Sequence, residues 1–468
     1  MEFGPWLPDL VPVNHAGLVV ARNVYAAPNG YRPLRGLSSI TTALSVDWKG
    51  GGSFVDLDGT TIMLAGTNSG LYSYSSGAWS AEYAGSYTAA WQFAQFGAFV
   101  IGVNGGAPVK YTISSSTGAV LGGTPPTSTM VSIVRDFVFL AGDPAALSTV
   151  YWSENNNAEG WTSGTGESDD QQLPDGGPIT GLAGGEYGLV FQENGIHRFT
   201  YVGTPLIFQR DKISSGIGCL APGSVAQFGR MVFFLSGRGF YSVVDGELTP
   251  IGQNKIDDTF WATYSRSDVQ NNIRATIDPR RALVVWSMPD RLWIYNWVLD
   301  RWTDADIPGL AGVATGMSAG VTLDSLDAAY PSGLDSIPYS LDDPIFAGGD
   351  PMITFVKTDR IIYSFGGATT LEGVLQFAKI EPQKGRNARI RRARLDSDAT
   401  DGVTLTVDYS ARLGGAQSTV STTTLTTQGY MPIRATGRFI QVKVTLTTSA
   451  TWTYAQGLAL DLAAGGGA

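Results

Sequence analysis

Short apolar runs, each followed by a tight turn and a second strand carrying an aromatic, recur along the chain. Ile62-Met63-Leu64-Ala65 precedes Leu71-Tyr72-Ser73, and Phe99-Val100-Ile101-Gly102 precedes Lys110-Tyr111-Thr112. Phe137 to Leu140 leads to Val150-Tyr151-Trp152, Gly188 to Phe191 to Ile196-His197-Arg198-Phe199, and Val232 to Leu235 to Phe240-Tyr241-Ser242. Looser copies are Leu283 to Trp286 with Leu292 to Tyr295, and Ile353 to Val356 with Ile361 to Ser364. Aligned on positions 72, 111, 151, 197, 241, 293 and 362, the intervals are 39, 40, 46, 44, 52 and 69 residues. Each copy is preceded by another short strand, such as Ser53 to Leu57, Trp91 to Phe96, Val131 to Val134 or Ser224 to Phe228. Several are followed by a fourth that carries Trp79, Trp161 or Trp302. Four antiparallel strands per period, the inner ones apolar on both faces, predict an all-β chain built on a β-propeller of six or seven blades. Asp58-Gly59, Asn104-Gly105, Asn194-Gly195 and Asp245-Gly246 are expected to supply the positive backbone angles that tight hairpins require. Helical periodicity is weak throughout.

Three stretches depart from the period. Residues 1–45 are Pro-rich and predict an extended N-terminal arm; residues 46–372 hold the propeller, with a long Gly, Ser and Asp-rich insertion near 304–350. Residues 373–468 alternate Thr and Val in strands from Arg389 to Leu395, Val403 to Tyr409, Ser418 to Thr426, Phe439 to Leu446 and Thr451 to Leu460. They predict a C-terminal β-sandwich-like region or strands laid beside the propeller. The last interval is long, so closure of the propeller is expected to borrow a strand from either terminus.

The 468 residues include 31 Lys or Arg, 41 Asp or Glu, 2 His and 1 Cys. The lone Cys219 leaves no intramolecular disulfide, and His15 and His197 are too few for an imidazole metal site or His-based catalysis. No cofactor is expected. A formal net charge of −10 gives no overall attraction for nucleic acid or an anionic membrane. Neither a leader peptide nor a membrane-spanning stretch is read from the sequence, so no membrane insertion is expected.

A propeller glycosidase needs two carboxylates roughly 5–10 Å apart. The candidates are Asp56 with Asp58, Glu167 with Asp169 and Asp170, and Asp342 with Asp343. The first pair reads as a turn and the others as solvated loops. Ser153 to Trp161 lacks the Ser-x-Asp-x-Gly core of sialidase turns. Neither a Gly-x-Ser-x-Gly elbow nor a phosphate-binding loop is present. His197 reads as a packing residue and Cys219 as an inert thiol. The sharpest charge feature is Lys384, Arg386, Arg389, Arg391, Arg392 and Arg394. It suits an acidic partner subunit, phosphates or plain solvent. Strict alternation places Arg392 and Arg394 on one face of a strand and Arg389 and Arg391 on the other.

Phe3-Gly4-Pro5-Trp6-Leu7-Pro8-Asp9-Leu10, Gly17-Leu18, Ala21 to Val24 and Gly30 to Leu37 resemble the opening of tail nozzle, or tail hub, proteins of short-tailed bacteriophages. Tyr151-Trp152-Ser153 with Glu159-Gly160-Trp161 is similar to their mid-chain segment. Gly437 to Val444 with Ala455 to Leu458 is similar to their C-terminal strands. The resemblance implies a non-enzymatic structural protein of the virion tail, assembled in the bacterial host cytoplasm. It further implies a hexameric ring below the adaptor protein, near tail fibre or needle proteins, that continues and gates the DNA ejection channel. Genomic DNA would pass through the lumen without sequence-specific binding. Candidate subunit or adaptor contacts are then Trp6, Asp9, Arg32, Arg35 and the six basic residues from Lys384 to Arg394. A candidate gate loop carries Asp324, Asp327, Asp335, Asp342 and Asp343. The competing readings are a glycan-binding propeller for host recognition and a glycosidase.

Overall fold

A computed structural model describes residues 1–317 and 351–464. Each apolar run of the repeat becomes the second strand of a four-stranded antiparallel sheet, and each aromatic-bearing run becomes the third. The first sheet is Trp48–Val55, Thr61–Thr67, Gly70–Ser75 and Ala78–Ala84. The second is Gln92–Phe96, Phe99–Val103, Val109–Thr112 and Thr117–Val120. The third is Met130–Val134, Phe137–Ala141, Thr149–Trp152 and Asp169–Gln172. The fourth is Ile179–Ala183, Gly188–Gln192, Gly195–Gly203 and Ile207–Ser215. The fifth is Ala226–Phe228, Met231–Ser236, Gly239–Val244 and Glu247–Pro250. The sixth begins with Arg274–Asp278, Leu283–Met288, Arg291–Asn296 and Arg301–Asp306. The seventh holds Leu310–Met317, Pro351–Lys357 and Ile362–Ser364, and its fourth strand is Ser38–Ser39 from the other end of the chain.

Second strands such as Phe137–Ala141 and Leu283–Met288 are buried at every position, because neighbouring sheets cover both faces. The core is correspondingly divided into clusters between successive sheets. Ile62, Leu71, Val100 and Tyr111 fill the first gap; Ile101, Val131 and Leu140 fill the second. The seventh sheet packs on the first through Leu44, Trp48, Ala65, Val356 and Ile362. Glycine sets the closeness of one gap. A Cβ on Gly66 would lie 2.1 Å from the Trp91 ring, whose Nε1 donates to Thr67 O at 2.9 Å.

The N-terminal segment contributes short strands to three sheets. Leu18–Arg22 runs parallel to the sixth sheet's last strand, pairing Arg22 with Asp304, and antiparallel to Gly373–Phe377. The sixth sheet therefore continues through Phe439–Leu446, Val403–Ser410 and Ser418–Thr422 into a nine-stranded sheet. Val24–Ala27 and Gly30–Pro33 begin a separate five-stranded sheet with Ala455–Ala464, Ala388–Ser397 and Met431–Gly437. Residues 373–464 thus both pair with strands beside the sixth sheet and form a second layer. Leu405, Val442 and Val444 share one core with Ile390, Met431 and Ile433 of the five-stranded sheet. Asp304, 1% exposed at its side chain, is held between Arg22 at 3.2 Å and Arg291 at 3.1 Å. Burial raises its pKa while the two guanidiniums oppose that shift.

Three local expectations differ from the structure. Trp161 lies in the loop before Asp169–Gln172, where its indole donates to Ala158 O at 2.8 Å. Asp245-Gly246 turns with both φ angles positive, whereas neither Asn194 nor Gly195 does. Two short helices, α1 (Asp257–Thr263) and α2 (Arg266–Asn272), connect the fifth and sixth sheets, and about two turns each are too few for a periodic signal.

The edge strand of the seventh sheet continues past Ser39, with Ile40 N–H donating to Ile362 O at 2.9 Å. Ile40→Pro removes that donor and is expected to lower the unfolding free energy by about 1–3 kcal/mol in urea denaturation. Unchanged stability would contradict the pairing.

Candidate functional site

Residues on or beside the first strand of all seven sheets surround one cavity of about 320 Å³. Its wall includes Gly50 to Phe54, Gln92, Val131, Leu182, Val225, Arg274 and Val313 to Thr315. Gly50 and Gly51 can sit there only without side chains: a Cβ on Gly50 would lie 2.2 Å from Trp91 O. Among the described residues no Asp or Glu lines this cavity. Its cation, Arg274, donates to Ile273 O at 2.7 Å, and burial lowers its pKa. The paired carboxylates that glycoside hydrolysis needs are therefore not present on this wall.

Of the carboxylates singled out by sequence, Asp56, Asp58, Glu167 and Asp169 are engaged elsewhere, Asp170 is exposed, and Asp342 and Asp343 lie outside the described residues. Asp56 and Asp58 accept from Leu57 N and Thr60 N, both at 2.8 Å, within an exposed turn. Glu167 receives the Tyr201 hydroxyl and the Asn155 amide, and Asp169 receives Ser163 Oγ at 2.7 Å. His197 is buried, lies 3.1 Å from Gln192 Oε1, and has its pKa lowered by burial. Burial pushes the Cys219 thiol up to about 11, so the thiolate is scarce at neutral pH. Among the described residues no group of three or more His, Cys, Asp or Glu is placed to hold a metal, and no helix is long and apolar enough to cross a membrane.

Arg32 and Arg35 come together with Arg281 in a groove of about 570 Å³, beside Tyr25, Leu34, Phe365, Trp452 and the hydroxyl-rich loop Thr448 to Tyr454. No carboxylate lines this groove among the described residues. Arg281 lies over the Tyr25 ring and pairs with Asp278 at 3.4 Å, while Arg32 and Arg35 are exposed. Such a wall suits an anionic ligand that also stacks on aromatics. The basic segment lies apart from it. Lys384 and Arg386 are exposed in the approach to Ala388–Ser397, and Arg389, Arg391, Arg392 and Arg394 are all exposed on that strand. The expected division between two faces is overturned by a β-bulge between Ile390 and Arg392, which shifts the register. The candidate gate residues Asp324, Asp327, Asp335, Asp342 and Asp343 lie outside the described residues.

No family model and no curated protein matches the sequence. Among solved structures, the chain is similar to the extracellular domain of the one component system BT4673 from B. thetaiotaomicron, at 12% identity and a TM-score of 0.43, covering 70% of this chain and 40% of that one. It is similar also to PorZ of the type-IX secretion system of Porphyromonas gingivalis, at 12% identity and 0.37, covering 60% and 35%. A third is BamB from Moraxella catarrhalis, at 10% identity and 0.35, covering 73% and 94%. The chain thus spans less than half the length of the first two.

Two candidate contact residues turn inward. Trp6 is 4% exposed, its indole donates to Val19 O at 3.0 Å, and its ring lies 5.7 Å from that of Trp293. It has no surface to offer a neighbouring subunit. Asp9 accepts from Asp258 N at 3.0 Å and Thr259 N at 2.8 Å, capping α1 from far away in sequence, where Ile256 at the N-cap position offers no oxygen. Beneath this contact Asp257 is buried and accepts from Phe240 N at 3.1 Å.

Desolvation pushes the Asp257 carboxyl up to about 7, with Asp9 and Asp258 adding to the rise and Lys255 opposing it. An unfolded aspartate titrates near ~4, so the folded state holds this proton more tightly. The group's stabilising contribution is complete below about pH 4 and is lost as pH rises to about 7. Asp257→Asn keeps the acceptor oxygen and removes the charge. It is expected to stabilise the protein by about 1–3 kcal/mol above pH 7 and to change little near pH 4, as read from urea denaturation at both pH values. Equal stability of variant and parent above pH 7 would contradict the assignment.

Proposed function

We propose that the seven sheets form a closed seven-bladed β-propeller, and that the chain is a structural subunit of a short-tailed phage virion. In this reading six copies ring the tail axis below the adaptor, extend the DNA ejection channel and gate it sterically, with no covalent chemistry. One observation carries the proposal. The segments that resemble tail nozzle proteins come from opposite ends of the chain, yet they build one structural unit. Phe3 N–H donates to Gln456 O at 2.8 Å, and Tyr31 pairs with Ala455. A Cβ on Gly30 would lie 2.2 Å from Ala455 O, so the two resembling segments fit each other only with glycine at that position.

Other features are consistent with a wall-forming role. The cavity on the propeller axis is far too small for a DNA duplex, so a channel has to lie between subunits. A net charge of −10 suits a lumen that does not retain phosphates during ejection. Adaptor and tail fibre or needle proteins are the remaining partners in this proposal. The groove at Arg32 and Arg35 favours a second reading, recognition of an acidic host saccharide.

Cryo-electron microscopy of the particle that contains this chain tests the proposal, with no symmetry imposed during early classification. A sixfold ring on a tail axis is expected. An isolated propeller that is not part of a tail, and that binds acidic saccharide at Arg32 and Arg35, would replace it with the second reading.

A further inference from the structure

Charge is segregated along this chain. Residues 373–468 carry 11 basic and 6 acidic side chains, whereas residues 1–372 carry 20 basic and 35 acidic. The positive excess is gathered on one surface by the bulge in Ala388–Ser397. Pairing with Met431–Gly437 passes from Ile390↔Ala435 to Arg392↔Pro432, and pairing with Ala455–Ala464 passes from Ile390↔Leu462 to Arg392↔Asp461. Ala388, Ile390 and Ala393 therefore face the core, while Arg389, Arg391, Arg392 and Arg394 all face outward. Without the extra residue, alternation would drive two of these arginines into an apolar core at a cost of several kcal/mol each. Arg434 on the adjacent strand is exposed as well.

Within the chain only part of this charge is answered. Arg392 pairs with Asp461 at 3.0 Å and lies over the Tyr430 ring at 4.1 Å. Arg389, Arg391, Arg394 and Arg434 have no ion pair among the described residues. The complementary feature is residues 136–193, which carry ten carboxylates and no Lys or Arg. They cover most of the third sheet and the start of the fourth. Asp136, Asp170, Asp175, Glu186 and Glu193 are exposed there, and among the described residues only Glu159 of the ten has an ion pair, with Lys110 at 2.6 Å. No ion pair joins this acidic region to the arginine face within one chain, among the described residues.

We propose that the arginine face of Ala388–Ser397 and Met431–Gly437 docks a second copy of this chain, on the acidic region 136–193 of that copy. The inference rests on the reading of the chain as a ring-forming subunit and names the faces through which copies meet. Because the two surfaces differ, the contact is heterologous: each copy offers its basic face to one neighbour and its acidic region to the other. Opposite charge steers the encounter and makes it sensitive to salt.

The test uses the full chain and two triple variants of exposed residues. One carries Arg389→Glu, Arg391→Glu and Arg394→Glu; the other carries Asp170→Lys, Asp175→Lys and Glu186→Lys. Thermal melting and circular dichroism establish that both fold. Sedimentation velocity is expected to show self-association of the parent that weakens with salt, and at least a tenfold weaker self-association of each variant alone. An equimolar mixture of the two variants is expected to associate again, since each reversed face then meets its complement. A parent that stays monomeric at low salt, an arginine variant that associates like the parent, or a mixture without rescue would each overturn the proposal. So would an arginine variant that loses binding to a DNA duplex while self-associating normally. Co-assembly of the variants without a ring on a tail axis would leave the docking faces standing and remove the virion reading. A ring joined through other faces would do the reverse.

Discussion

Main-chain pairing between the N-terminal segment and strands from the far end of the chain is the constraint on which the rest of the structure depends. Seven sheets packed side by side have no covalent bond between the last and the first. Ser38–Ser39 and Ile40 complete the seventh sheet, and Leu44 enters the core it shares with the first. A few residues earlier, Leu18–Arg22 joins the sixth sheet to the C-terminal strands. One short segment thus fixes both the succession of sheets and the position of the second layer. The buried Asp304 between Arg22 and Arg291 pins that joint, because an uncompensated charge at that depth costs several kcal/mol.

The repeat was legible because its signal is local. Tyr72, Tyr111, Tyr151, His197, Tyr241, Trp293 and Ile362 all fall on third strands, and the apolar run before each is the fully or largely buried second strand. The N-terminal segment was not legible as strands. Its pieces are two to five residues long and divided among three sheets, and apart from the hairpin of Val24–Ala27 with Gly30–Pro33 they pair with strands hundreds of residues away, so no period survives. For the same reason Asp9 gave no sign that it caps α1. The bulge at Ile390–Arg392 was also invisible to strict alternation. A signal for it does exist in the sequence: Ala388, Ile390 and Ala393 make one apolar face only if a residue is skipped between them.

The candidate sites separate by what each wall lacks. Around the cavity lined by the first strands, glycines and aromatics approach closely and no carboxylate is present among the described residues. At Arg32 and Arg35, and again along Ala388–Ser397, positive charge is displayed without full compensation on a chain that is acidic overall. The assembly proposed above would answer this charge with partners outside the chain.

Native-state hydrogen exchange on the intact chain tests the central claim most directly. If the N-terminal pairing holds the sheets together, the amides of Phe3, Asn23, Ile40 and Leu44, which donate to Gln456, Asp304, Ile362 and Arg360, exchange as slowly as those of the second strands. Fast exchange at these four positions, with the seven sheets still protected, would contradict the account.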